Sequence, residues 1–200
     1  MITGNMRRLD EIRRYIKVTK IDEIARRYFV MNAFDGALTM LGILVGAYVS
    51  GSQNVKIILH AGLGASIAMG MSGMTGAYLT EKAERERELK ELEDAMLLDL
   101  DDTVYGKATR FASVFSALVD GLSPALAAVI ILAPFIFVGQ GMGFNNAFIT
   151  SMVVTVFTLF GLGAYLGRIS GESIPRYGTQ MVVVGLVTAT VIYLVELISP

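Results

Sequence analysis

The chain reads as an all-α membrane protein built on five transmembrane helices. Of its 200 residues, 54% are apolar and 18% are charged, whereas a soluble domain carries about a quarter charged residues. The charges are also segregated. Residues 7–27 and 81–110 hold 28 of the 35, and only Asp35, Lys56, Asp120, Arg168, Glu172, Arg176 and Glu196 stand elsewhere. What remains supplies five apolar runs, over approximately residues 29–50, 57–79, 114–138, 147–166 and 178–198. Each is close to the roughly 20 residues that a helix needs to cross a hydrocarbon core of about 30 Å.

In chain order, residues 6–28 come first. They set Leu9, Ile12, Ile16, Ile21, Ile24 and Tyr28 at helical spacing among bases. That pattern predicts an amphipathic helix on the cytoplasmic membrane surface, with packing against the protein's own cytoplasmic loop as the alternative. A cleavable signal peptide is not expected, because this polar-rich segment precedes every apolar run. Residues 1–28 therefore form a cytoplasmic helix, 29–79 the first two membrane helices, 80–110 an acidic cytoplasmic segment and 111–200 the last three helices.

The breaks at residues 51–56, 139–146 and 167–177 are long enough only to turn the chain. Tyr28, Tyr48, Tyr78, Tyr165, Tyr177 and Tyr193 fall near predicted helix ends, where aromatic rings sit at the headgroup level. Orientation follows from Lys and Arg. Sixteen of the seventeen bases lie on the side of the N-terminus, and Lys56 alone lies opposite. The N-terminus is therefore expected in the cytoplasm and the C-terminus outside, which an odd number of crossings satisfies. With no Pro or Gly between Glu81 and Tyr105, the second membrane helix is expected to run on well into the cytoplasm.

A two-helix unit also repeats weakly. Phe34-Asp35-Gly36 matches Val119-Asp120-Gly121, and Gly76-Ala77-Tyr78-Leu79 matches Gly163-Ala164-Tyr165-Leu166. Such halves would be parallel repeats about an axis near the membrane normal, and chance likeness between small-residue helices is the competing explanation.

Composition excludes several kinds of chemistry. Without cysteine there is no disulfide, thiolate metal site or cysteine nucleophile, and with His60 alone there is no His-rich metal cluster. The net charge of -1 hides the local asymmetry, and a nucleic-acid partner is not expected.

Asp35 is the most telling residue. A carboxylate inside an apolar run costs several kcal/mol unless it meets water, a cation or a partner. Thr39, Gly42, Gly46 and Ser50 continue its side of the helix as a small-residue stripe that permits close helix approach. An ion or proton site is favoured over a packing acid. Asp120 lies about as deep in the third helix at the equivalent repeat position. It is either a second pathway carboxylate or a structural acid held by Ser116 and Ser123. Met69, Met71 and Met74 crowd the second helix between glycines. Such methionines are usually filler, but beside carboxylates a thioether favours a borderline or softer first-row ion over Mg²⁺ or Ca²⁺. Glu81, Glu84, Glu88 and Glu91 fall on one helical face. Pairs such as Glu81–Arg85 would make this a solvated charged helix, and a facing strip from a second protomer would be needed to complete an oxygen cage.

The pattern resembles the vacuolar iron transporter family (VIT/CCC type), divalent-metal exporters of five membrane helices that work as dimers. The likeness rests on DGALTMLGILVGAYVSG at residues 35–51 and on a Met/Gly/Ser-rich second helix that runs through YLTEKAE at residues 78–84 into a charged cytoplasmic helix. By resemblance, Asp35 is the pathway aspartate that ligates metal within the membrane. A second-helix methionine shares that task. Ungapped alignment puts it at Gly73, so Met74 or Met71 takes the role. The stretch from Glu81 matches the start of the family's cytoplasmic metal-binding domain. Fewer than thirty residues separate the second and third helices here, too few for the multi-helix form of that domain, and Asp120 has no counterpart in the family pattern.

The leading expectation is a homodimeric transporter that moves Fe²⁺ or Mn²⁺ out of the cytoplasm against protons, with the metal as substrate and no resident cofactor. The cation would collect on Glu81, Glu84, Glu88 and Glu91 and pass by Asp35 and the methionines. The alternatives are a structural or scaffolding membrane protein and, more remotely, a lipid-headgroup transferase. That enzyme class needs an Ala-Arg after Asp-Gly and further acids, and no acid follows Asp35 before Glu81.

Overall fold

The computed structural model describes residues 2–198, with side chains from residue 11 onward except that of Glu196. Leu9, counted in the N-terminal amphipathic pattern, lies outside the described side chains. The described chain is helical and turns through short connections: α1 (Ile2–Thr19), α2 (Ile21–Val49), α3 (Val55–Met96), α4 (Val104–Ile136), α5 (Phe144–Ser170) and α6 (Ile174–Ile198). Helices α2 to α6 are each long and apolar enough to cross a membrane, which matches the five apolar runs.

The amphipathic run expected over residues 6–28 is divided. Lys20 adopts a left-handed backbone (φ 49°), and Thr19 caps the end of α1 by donating its hydroxyl to the Tyr15 carbonyl at 2.8 Å. The next helix starts at Ile21, which is fully buried, and Ala25 one turn on is also buried. Asp22 and Glu23 occupy its first turn, where acids complement the helix dipole. Residues 21–28 thus belong to the first membrane helix. Tyr15 of α1 lies 5.8 Å from Phe111 of α4, ring to ring, so α1 packs on the protein at that point, while Ile12 and Val18 stay exposed.

Helix α3 runs for 42 residues, about 63 Å at 1.5 Å per residue, and carries the acidic run as its own continuation. It stops where Leu97 turns left-handed (φ 54°). The acids nearest this end satisfy the main chain of the reversal. Glu93 accepts from the Leu100 amide at 2.8 Å and Asp99 from the Asp101 amide at 2.9 Å. Asp101 pairs with Arg110 of α4 at 2.9 Å.

The chain divides into two compact units. One joins the chain up to Phe29 with Met71–Leu122, and the other joins Val30–Gly70 with the chain from Ser123 on. Their interiors are rich in small residues: Ala108, Ala112 and Ala117 in the first, Ala33, Ala37, Ala127, Ala128 and Ala147 in the second. Lipid tails are as apolar as Leu, so helices gain by close van der Waals approach, which small residues allow. The large apolar side chains turn outward instead. On α4, Val114, Leu118, Leu122, Leu126 and Val129 form an exposed stripe, opposite buried Thr109, Ser113, Ser116, Asp120 and Ser123. Helices α5 and α6 form an antiparallel hairpin. It is closed at Gly171 (φ 69°), after which the Glu172 amide donates to the Gly167 carbonyl at 3.0 Å.

Candidate functional site

Asp35 sits two helical turns beyond Tyr28 on α2, exposed at the surface of its own unit, while its neighbours Gly36 and Ala37 are buried. The cause is at Gly36. A Cβ there would lie 2.7 Å from both the Cα and the carbonyl oxygen of Pro124, so the backbones of α2 and α4 meet directly at this point. With that side of α2 filled by α4, the residue before it faces outward. One turn further, Thr39 shares its hydroxyl between two acceptors. It lies 2.8 Å from the Asp35 carbonyl oxygen and 3.4 Å from the Met69 sulfur. The thioether of α3 is thereby tied through Thr39 to the main chain of Asp35. Met69 is the second-helix methionine that geometry ties to the Asp35 turn. The sequence presents Met69 as one of three similar methionines, and only the contact with Thr39 distinguishes it.

In the other unit, Met71 is exposed (60%) and Met74 half-buried. Asp120 is buried (6%), and a Cβ on Gly73 would come within 2.7 Å of its Oδ2. The absence of a side chain at Gly73 leaves the room that the carboxylate fills. Asp35 and Asp120 thus have opposite surroundings, one outward and one enclosed.

The acidic face divides by environment. Glu81 is held at both oxygens: the Tyr28 hydroxyl donates to Oε1 at 3.0 Å and Arg85 Nε donates to Oε2 at 3.0 Å. Both members of this ion pair are largely enclosed. Glu91 accepts from Arg87 at 2.9 Å in full exposure. That bond, with the fields of Glu84 and Glu88, holds the Arg87 guanidinium above its ordinary value. Glu84 and Glu88 are exposed and form no hydrogen bond or ion pair among the described residues. Nowhere among the described residues do three His, Asp or Glu side chains converge to hold a metal ion. Within one copy, then, the four glutamates make no cage.

The VIT family model matches residues 26–102 and again residues 95–196. The chain is also 33% identical over 178 residues to an uncharacterized protein of Methanocaldococcus jannaschii, a match that spans 87% of this chain and 90% of the relative. The family match covers every membrane-spanning helix, and on it the chain belongs to the VIT family of membrane divalent-metal transporters.

Proposed function

We propose that the protein exports Fe²⁺ or Mn²⁺ from the cytoplasm in exchange for protons, and that it does so as a homodimer. The observation that carries this reading is the Asp35–Thr39–Met69 arrangement. An anionic oxygen and a thioether offered together favour borderline first-row ions over Mg²⁺ or Ca²⁺. A carboxylate binds such an ion when ionised and releases it when protonated, which is the minimal chemistry of exchange.

Two facts support a second copy. An outward-facing carboxylate at membrane depth is costly in lipid. The span of α3 is also poorly covered, with 22% of its most apolar window buried, and Gly64 and Gly76 on it face open space. A partner laid on either surface would cover it. Exposed Glu84 and Glu88 are the acids left free to attract cations on the cytoplasmic side, and a partner's acids would raise the ligand count there.

The test is flux into proteoliposomes. Wild type is expected to move Mn²⁺ and Fe²⁺ faster when a pH gradient is imposed, and Asp35→Ala to lose at least tenfold in rate. Wild-type rates in Asp35→Ala would overturn the pathway assignment.

A further inference from the structure

We propose that Asp120 is the proton-binding carboxylate of the exchange, reached along a ladder of hydroxyls on the buried face of α4. This deepens the exchange reading above and rests on it, because it separates the proton site from the metal site at Asp35.

The ladder begins at a cleft of about 350 Å³ lined by Tyr78, Lys82, Glu86, Thr109, Arg110, Ser113 and Val114. Its lining is charged and polar around two α4 hydroxyls, so water enters there. From this mouth, Thr109, Ser113, Ser116 and Asp120 follow at spacings of four, three and four residues along one side of the helix, all buried. The run covers about 17 Å at 1.5 Å per residue. Thr109 and Ser113 each donate to the carbonyl one turn back, at 3.0 and 3.2 Å, and keep lone pairs free to accept.

Ser116 is different. It is fully buried and its Oγ has no hydrogen-bond partner among the described residues. A buried hydroxyl without a partner is costly, and this one stands one turn before the carboxylate, on its side of the helix. It serves as the last relay to Asp120, able to donate to the carboxylate and to accept from its protonated form. Steps of five to six ångströms exceed a direct hydrogen bond, so the proposed path requires a single water to enter between neighbouring rungs as the proton moves.

Among the described residues Asp120 belongs to no cluster of three His, Asp or Glu side chains that could hold a metal ion. From α3 it meets Gly73, which offers no ligand. The Tyr28 hydroxyl of α2 donates to Glu81, which pairs with Arg85. At the mouth, Lys82 pairs with Glu86 at 3.6 Å, and Arg110 pairs with Asp101.

The experiment measures Mn²⁺ flux and proton movement together in proteoliposomes carrying an entrapped pH dye. Asp120→Asn is expected to keep Mn²⁺ affinity within about twofold and to exchange Mn²⁺ across the membrane, while Mn²⁺-driven proton movement falls at least tenfold. Ser116→Ala removes a hydroxyl that has no hydrogen-bond partner among the described residues, so it leaves the fold intact. It is expected to slow proton movement at least fivefold with Mn²⁺ exchange unchanged.

If Asp120→Asn does not fold, Ser116→Ala decides alone. Wild-type proton movement in Ser116→Ala overturns the proposal, as does full coupling in Asp120→Asn. Wild-type protein that carries Mn²⁺ without protons overturns this inference and leaves metal transport standing. Wild-type protein that carries no Mn²⁺ overturns both.

Discussion

Gly36 and Pro124 touch backbone to backbone: any side chain on Gly36 would lie 2.7 Å from the Pro124 Cα and carbonyl oxygen. This contact explains why glycine follows Asp35. The pair Asp-Gly sets a carboxylate beside a helix crossing, and the crossing leaves that carboxylate facing outward.

Gly36→Ala should therefore force α2 and α4 apart, since both clashing atoms are main chain and cannot rotate away. Overpacking of this kind costs about 1–3 kcal/mol. The expected result is a lower Tm in detergent together with reduced Mn²⁺ flux. Gly161→Ala, with nothing within 4 Å of its Cβ, should leave both unchanged.

Met69→Leu keeps the size of the side chain and removes the sulfur. If the thioether beside Thr39 selects the ion, this variant should lose about tenfold in Mn²⁺ preference over Mg²⁺, measured by competition in the flux assay. The same change at Met71, exposed in its own unit, should cost less.

The glutamates should separate into two phenotypes. Glu81→Gln breaks an enclosed pair with Arg85 and weakens the bond from Tyr28. Loss of one partner of a buried pair costs about 3 kcal/mol or more, reduced here because each side chain keeps slight exposure. Thermal unfolding should show the loss. Glu84→Gln and Glu88→Gln remove exposed carboxylates that form no hydrogen bond or ion pair among the described residues. They should keep Tm within a degree or so and raise the metal concentration needed for half-maximal flux.

Leu97→Gly should stabilise the protein. Leu97 ends α3 with φ 54° and is 88% exposed, so its side chain gains little burial while its backbone is strained. A left-handed conformation costs about 1–2 kcal/mol for a residue with a Cβ and nearly nothing for glycine. A Tm rise of a few degrees is expected.

Much of this molecule is written in one dimension. Five apolar runs, each as long as the bilayer is thick, determine five spanning helices. The unbroken stretch after Glu81 determines that the second of them continues beyond the apolar run, and the cost of a lone carboxylate in an apolar run singles out Asp35. The division at Lys20 was not legible, because the apolar spacing of residues 6–28 is the same whether the helix is one piece or two. Burial of Ile21 and Ala25 decided it. Likewise, equal spacing put Glu81, Glu84, Glu88 and Glu91 on one face, yet Tyr28 and Arg85 claim Glu81 from positions that no local pattern connects. Asp35 and Asp120 look equivalent in sequence, and neighbours distant in the chain set them apart. Helical periodicity fixes which residues share a side of a helix. Which side another helix covers depends on where small residues such as Gly36 and Gly73 admit it, and that is settled only in the packed structure.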